Sequence, residues 1–207
     1  TKSKYTLDIG GLIGALQRSF NFNSLTFYDE EQFINDNIFF LDLGFGGVLK
    51  NKINNYSNFE FGFSSFHINN PNLSFSSTYT EKTPIKHVAY FEYDYFYNNL
   101  VFTPLFYYSK HSKESELIYG IDIGNDLNKK EGQISYNGAL YIRNNDAIIP
   151  QVGIMFQDFS FHISYDINTS ELSKASNNYG GLEFSVIYSW NTKNKKQKNT
   201  FKCPKYL

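Results

Sequence analysis

The sequence predicts an all-β fold, a transmembrane antiparallel up-and-down β-barrel with about ten strands visible in this chain. Three observations carry that prediction. Polarity alternates with period two through most of the 207 residues, the signature of half-buried strands. Aromatic residues reach 19%, as 21 Phe, 17 Tyr and one Trp, which is the composition that disordered segments lack. Helix signals are weak everywhere. The best candidate, residues 171–176 after Thr169 and Ser170, is too short to be more than a turn.

The strands follow in order. Tyr5, Leu7, Ile9 and Ile13 oppose Thr6, Asp8, Gly10 and Gly14 in the first. Leu41, Leu43, Phe45 and Leu49 oppose Asp42, Gly44, Gly46 and Lys50 in the second, and Phe59, Phe61 and Phe63 oppose Glu60, Gly62 and Ser64 in the third. Phe91, Tyr93, Tyr95 and Tyr97 oppose Glu92 and Asp94, and a less regular run covers residues 101–109. Leu117, Tyr119, Ile121 and Ile123 oppose Gly120, Asp122 and Gly124. Ile134, Tyr136, Leu140 and Ile142 oppose Ser135, Asn137 and Arg143, followed by a short run over 152–156. Phe159, Phe161, Ile163 and Tyr165 oppose Ser160, His162, Ser164 and Asp166. The clearest strand is last, with Leu182, Phe184, Val186, Tyr188 and Trp190 alternating with Glu183, Ser185, Ile187 and Ser189.

Connector lengths suggest an orientation. If the tail after Trp190 is periplasmic, counting backward makes the turns at 157–158 and 98–99 periplasmic, together with connections 51–57 and 125–132. Connections 21–37, 68–85, 111–115, 144–147 and 167–179 are then external, and three of these are long. Short periplasmic turns with longer external loops are the habit of outer-membrane barrels.

Composition excludes several classes. With 19 Lys+Arg against 20 Asp+Glu, the net charge of -1 suggests no nucleic-acid groove. The single Cys rules out an internal disulfide framework and a Cys-rich metal site. Apolar runs such as residues 38–41 fall far short of the roughly 18 residues of a spanning helix. A mean hydropathy of -0.42 looks soluble, yet lipid-facing and lumen-facing residues in a barrel average to such a value. A soluble antiparallel sandwich or lipocalin-like barrel shares the period-two signature. Against it stands the face opposite the aromatics, where Asp8, Asp42, Glu60, Glu92, Asp94, Asp122 and Glu183 mix with Gly and small residues as in a hydrated lumen.

Enzyme signals are wanting. His67, His87, His111 and His162 lack close metal spacing. Residues 44–47 (GFGG) sit inside an alternating strand with no helix after them, and no GxSxG elbow occurs. Ser160 and His162 would be the pair for a membrane hydrolase. The reading is therefore non-enzymatic, with no catalytic residue, metal or cofactor.

Several stretches together resemble the PorP/SprF family of the type IX secretion and gliding-motility system. They are residues 164–176 (SYDINTSELSKAS), 180–188 (GGLEFSVIY), 14–27 (GALQRSFNFNSLTF), 66–72 (FHINNPN) and 203–205 (CPK), in the expected order along the chain. The resemblance implies a longer barrel of about fourteen strands, of which this chain looks like the C-terminal two thirds. Residues 1–190 would be barrel and 191–207 a basic periplasmic tail, holding Lys193, Lys195, Lys196, Lys198, Lys202 and Lys205.

The resemblance also implies a role in the cell outer membrane. The protein would bind or anchor a secreted substrate through that substrate's C-terminal signal domain, or link the membrane to periplasmic type IX or gliding machinery. Expected partners are that cargo, the periplasmic components and outer-membrane lipid, with no nucleic acid. The alternative is a passive porin or small-solute channel, and a soluble ligand-binding barrel comes third. Among lumen carboxylates, Arg18, Arg143 and Lys50 are candidate counter-charges. The candidate partner-binding residues are Asn168, Ser170, Glu171, Leu172, Lys174, Ser176 and Asn177, in the last external connection. The short polar side chains of Asn168, Ser170, Ser173 and Ser176 can fix turns by hydrogen bonding to the backbone, and an ordered loop loses less entropy on docking.

Overall fold

The computed structural model describes residues 4–21, 36–76, 79–125, 134–170 and 180–189. Eleven strands account for most of them: β1 (Lys4–Ser19), β2 (Asn37–Asn54), β3 (Ser57–Phe66), β4 (Lys86–Tyr97), β5 (Leu100–His111), β6 (Glu114–Asn125), β7 (Ser135–Arg143), β8 (Ala147–Phe156), β9 (Phe159–Tyr165), β10 (Ile167–Asn168) and β11 (Leu182–Tyr188). The order is up-and-down, β1 to β9 in succession and then β11, with the two-residue β10 paired to β8. Among the described residues no helix is long and apolar enough to cross a membrane, which leaves crossing by strands untouched. Two units divide the chain, Thr1–Tyr95 with Pro104–Tyr119, and Phe96–Thr103 with Gly120–Leu207.

Register in the first unit converts the alternation into rows. Leu7, Leu49, Phe61 and Phe91 lie opposite one another across β1 to β4, and the neighbouring row is Thr6, Lys50, Glu60 and Glu92. A shift of one residue would exchange the two rows, so the apolar row pins the register. On the polar face Lys50 Nζ is 3.0 Å from Asp8 and 4.0 Å from Glu60, and the Tyr90 hydroxyl donates to Glu60 at 2.6 Å. The Tyr90 ring lies directly over Gly62, where a Cβ would run into it. Lys50 thus serves as the expected counter-charge.

In the second unit the row Tyr136, Ile154, Phe161 and Val186 crosses β7, β8, β9 and β11. These side chains are 62, 53, 46 and 64% exposed. On the other side of the sheet Tyr141 is 4% and Asp122 7% exposed, and Asn137 Nδ2 donates to Asp122 at 2.6 Å. A row of large apolar groups left exposed, with a carboxylate buried on the opposite face, departs from the pattern of a water-soluble domain. At the turn end of this unit Phe159 packs 4.7 Å from Tyr188 and 6.1 Å from Phe161, centroid to centroid.

Strands run longer than polarity alone indicates. β2 continues through residues 51–54, three of them polar, because Lys52 pairs with Asn58 and Asn54 with Ser57 across a bulge. The connection read as 51–57 therefore contracts to Asn55 and Tyr56. Asn54 Oδ1 closes it, accepting from the Tyr56 N–H at 2.7 Å and the Ser57 hydroxyl at 3.1 Å. Asn98, Ser112, Asn145 and Gln157 take positive φ of 52–59° in the other short turns, the left-handed geometry that hairpin turns demand.

Candidate partner-binding surface at the β9–β11 connection

The last connection is built on three strand ends. β7 ends at Arg143, and a turn through Asn144, Asn145 and Asp146 leads into β8. Positive φ at Asn145 and an Asp146 N–H to Arg143 C=O bond of 3.0 Å close that turn. β9 ends at Tyr165, and its next residue meets the turn. Arg143 Nη1 donates to Asp166 Oδ2 at 2.9 Å and to Asp146 Oδ2 at 3.1 Å.

Beyond Asp166 the chain bends toward β8 as β10, pairing Ile167 with Ile148 and Asn168 with Ala147. The Thr169 and Ser170 N–H groups then both donate to the Asp146 carbonyl, at 2.7 and 3.2 Å. On the returning side the Asp166 N–H donates to the Gly181 carbonyl at 2.9 Å. Gly180 presses so closely on the Asp166 backbone that no side chain fits there. Departure and return of the connection thus converge on one guanidinium and two aspartates, joined by charge-assisted hydrogen bonds.

Of the predicted site residues, Asn168 is half-buried in β10 and Ser170 half-buried beside the Asp146 turn. At Ser170 the group seen anchoring the chain is the backbone N–H. Glu171, Leu172, Lys174, Ser176 and Asn177 lie outside the described residues, as does the predicted turn at 171–176. Arg143 is a counter-charge as expected, but to Asp146 and Asp166 at the strand ends. Asp146 was not singled out by sequence, and Gly180 only as the first residue of the family-like stretch 180–188. The one available signal was the spacing of Arg143 and Asp146 about an Asn-Asn pair, which reads as a turn without naming its contacts.

A second connection, between β3 and β4, is also tied down. Asn69 bridges two groups of β2, accepting from the Leu43 N–H at 3.1 Å and donating to the Leu41 carbonyl at 2.7 Å. His67 Nδ1 lies 2.9 Å from Asp42 Oδ1. Farther out, Asn72 bridges Lys82, and the Leu73 N–H donates to the Glu81 carbonyl. Arg18 of β1 reaches over, with Nη1 3.5 Å from the Leu73 carbonyl and its guanidinium 5.1 Å above the Phe75 ring. Arg18 is thus a loop anchor here. Arg18, from the stretch 14–27, reaches the loop that continues from 66–72, and Asp166 and Gly180, from 164–176 and 180–188, come together beside Arg143.

A search of curated proteins finds no match to the chain. A family model described as "Type IX secretion system membrane protein PorP/SprF" matches residues 1–188, which takes in every strand of the described residues and both anchored connections. The chain belongs to the PorP/SprF family of type IX secretion system membrane proteins.

Proposed function

We propose that this chain is an outer-membrane β-barrel component of the type IX system that binds or anchors a secreted substrate at its β9–β11 connection. The observation that supports this reading is the convergence of both ends of the connection on Arg143, Asp146 and Asp166. Joining two strands takes as few as two residues, and a longer connection with fixed ends offers a surface at reduced entropic cost. Asn168, Ser170, Glu171, Leu172, Lys174, Ser176 and Asn177 are the proposed contacts, facing the cell exterior in the orientation that places the tail after Trp190 in the periplasm.

The test replaces residues 171–177 with a Gly-Ser linker in the full chain. A fluorescent reporter carrying a type IX C-terminal signal domain is expected to be secreted but no longer held at the cell surface, while heat-modifiable migration of the barrel is unchanged. Undiminished retention by an assembled variant would place the cargo contact elsewhere and make the periplasmic turns and basic tail the next region to test.

A further inference from the structure

The Arg143 cluster lies next to the proposed contacts without being among them. Arg143 ends β7, Asp146 closes the turn into β8, and Asp166 follows β9. One guanidinium nitrogen spans the two carboxylates. Asp146 supplies its carbonyl to Thr169 and Ser170, the residues where the chain departs. Asp166 supplies its N–H to Gly181 and its backbone to the close approach of Gly180, where the chain returns. The guanidinium is therefore the shared link between departure and return, although 23 residues separate Arg143 from Asp166.

We propose that Arg143 is a positioning residue, a clamp that holds Ser170 and Gly180, on either side of connection 171–179, in a fixed relation and so sets how that connection is presented to a partner. This rests on the functional reading above and names the device that sets its geometry. Arginine suits the task because the two N–H bonds of one terminal nitrogen are held in the rigid guanidinium plane and aim at two acceptors at once, whereas a lysine ammonium turns freely on a flexible stem. Fixed ends restrict the large local openings that a protease needs.

The test uses the full-length protein in detergent and trypsin, with cleavage after Lys174 as the readout. Arg143→Gln is expected to speed that cleavage about fivefold or more, with Arg143→Lys between it and wild type. Heat-modifiable migration should stay unchanged, which separates positioning from a general loss of stability. Surface retention of the signal-domain reporter should fall in the same order. Unchanged cleavage in assembled Arg143→Gln overturns the clamp. Faster cleavage with full retention supports the clamp and overturns the assignment of cargo to this connection. If Arg143→Gln does not assemble, Asp166→Asn, which removes the carboxylate charge that ties Arg143 to the returning side, is read in the same way: faster cleavage supports the clamp and unchanged cleavage overturns it.

Discussion

A side chain's face decides its role here. Val152 on β8 lies opposite Gly138 and Ile163, and it is exposed. Its neighbour Gln151 lies opposite Ala139 and Ser164 on the other face. In water an exposed large apolar side chain forgoes about 1.5–3 kcal/mol of burial, whereas in lipid that exposure is favourable. Val152→Lys should therefore destabilise the assembled protein by roughly 2–4 kcal/mol if the site lies near the bilayer midplane, and Ser164→Lys by less than about 1 kcal/mol. Urea titration of the protein in liposomes measures both. Equal costs would contradict the assignment of the exposed face to lipid. The polar face follows ordinary rules, with Lys50 between Asp8 and Glu60 and Tyr90 donating to Glu60.

Among the elements, β1 and β2 stand out at 16 and 18 residues, well beyond the roughly 9–11 that a tilted strand needs to cross a bilayer. β3 pairs with β2 only from Phe45 onward. Where β3 leaves off, Asn69 takes its place, its amide occupying the Leu41 carbonyl and the Leu43 N–H as a strand would. Exposed hydrogen bonds of this kind contribute about 0.5–1.5 kcal/mol each. Asn69→Ala should therefore loosen the β3–β4 connection, seen as faster trypsin cleavage after Lys82, while strand content by circular dichroism is unchanged. Cleavage at the wild-type rate would show that Arg18 and the Asn72–Lys82 pairing hold the connection without Asn69.

At the scale of the molecule, the exposed apolar rows call for an apolar solvent. The protein should aggregate when extracted without detergent, and in detergent it should give a β-type circular dichroism spectrum. A monodisperse, detergent-free monomer would contradict membrane insertion. The same scale separates an anchor from a channel. Tyr90 and Tyr141 are bulky side chains on the polar face, the first seated over Gly62 and bonded to Glu60, the second buried. Reconstituted in planar bilayers, the proposed barrel should show no steady large conductance. Long-lived open pores would favour the porin alternative.

By itself, the sequence determined the all-β class, the ten long strands, the face of the alternating side chains among the described residues and the family. All of these follow from period-two polarity or from contiguous motifs, which are properties of neighbours along the chain. It left undetermined the strand ends, because polar residues such as Lys52 and Asn54 join a ladder only when a partner strand supplies the other half. Residues 167–168, read as connector, became β10 because β8 offered its first residues as an edge. The tertiary structure alone decided which distant groups meet. Arg143 was legible as a cation in search of carboxylates, and Asp166 as part of a family-like stretch, but their contact depends on β7, β8 and β9 lying side by side in one register. Alternation specifies which face a residue occupies, whereas register specifies its height along the strand, and a clamp at one rim requires both.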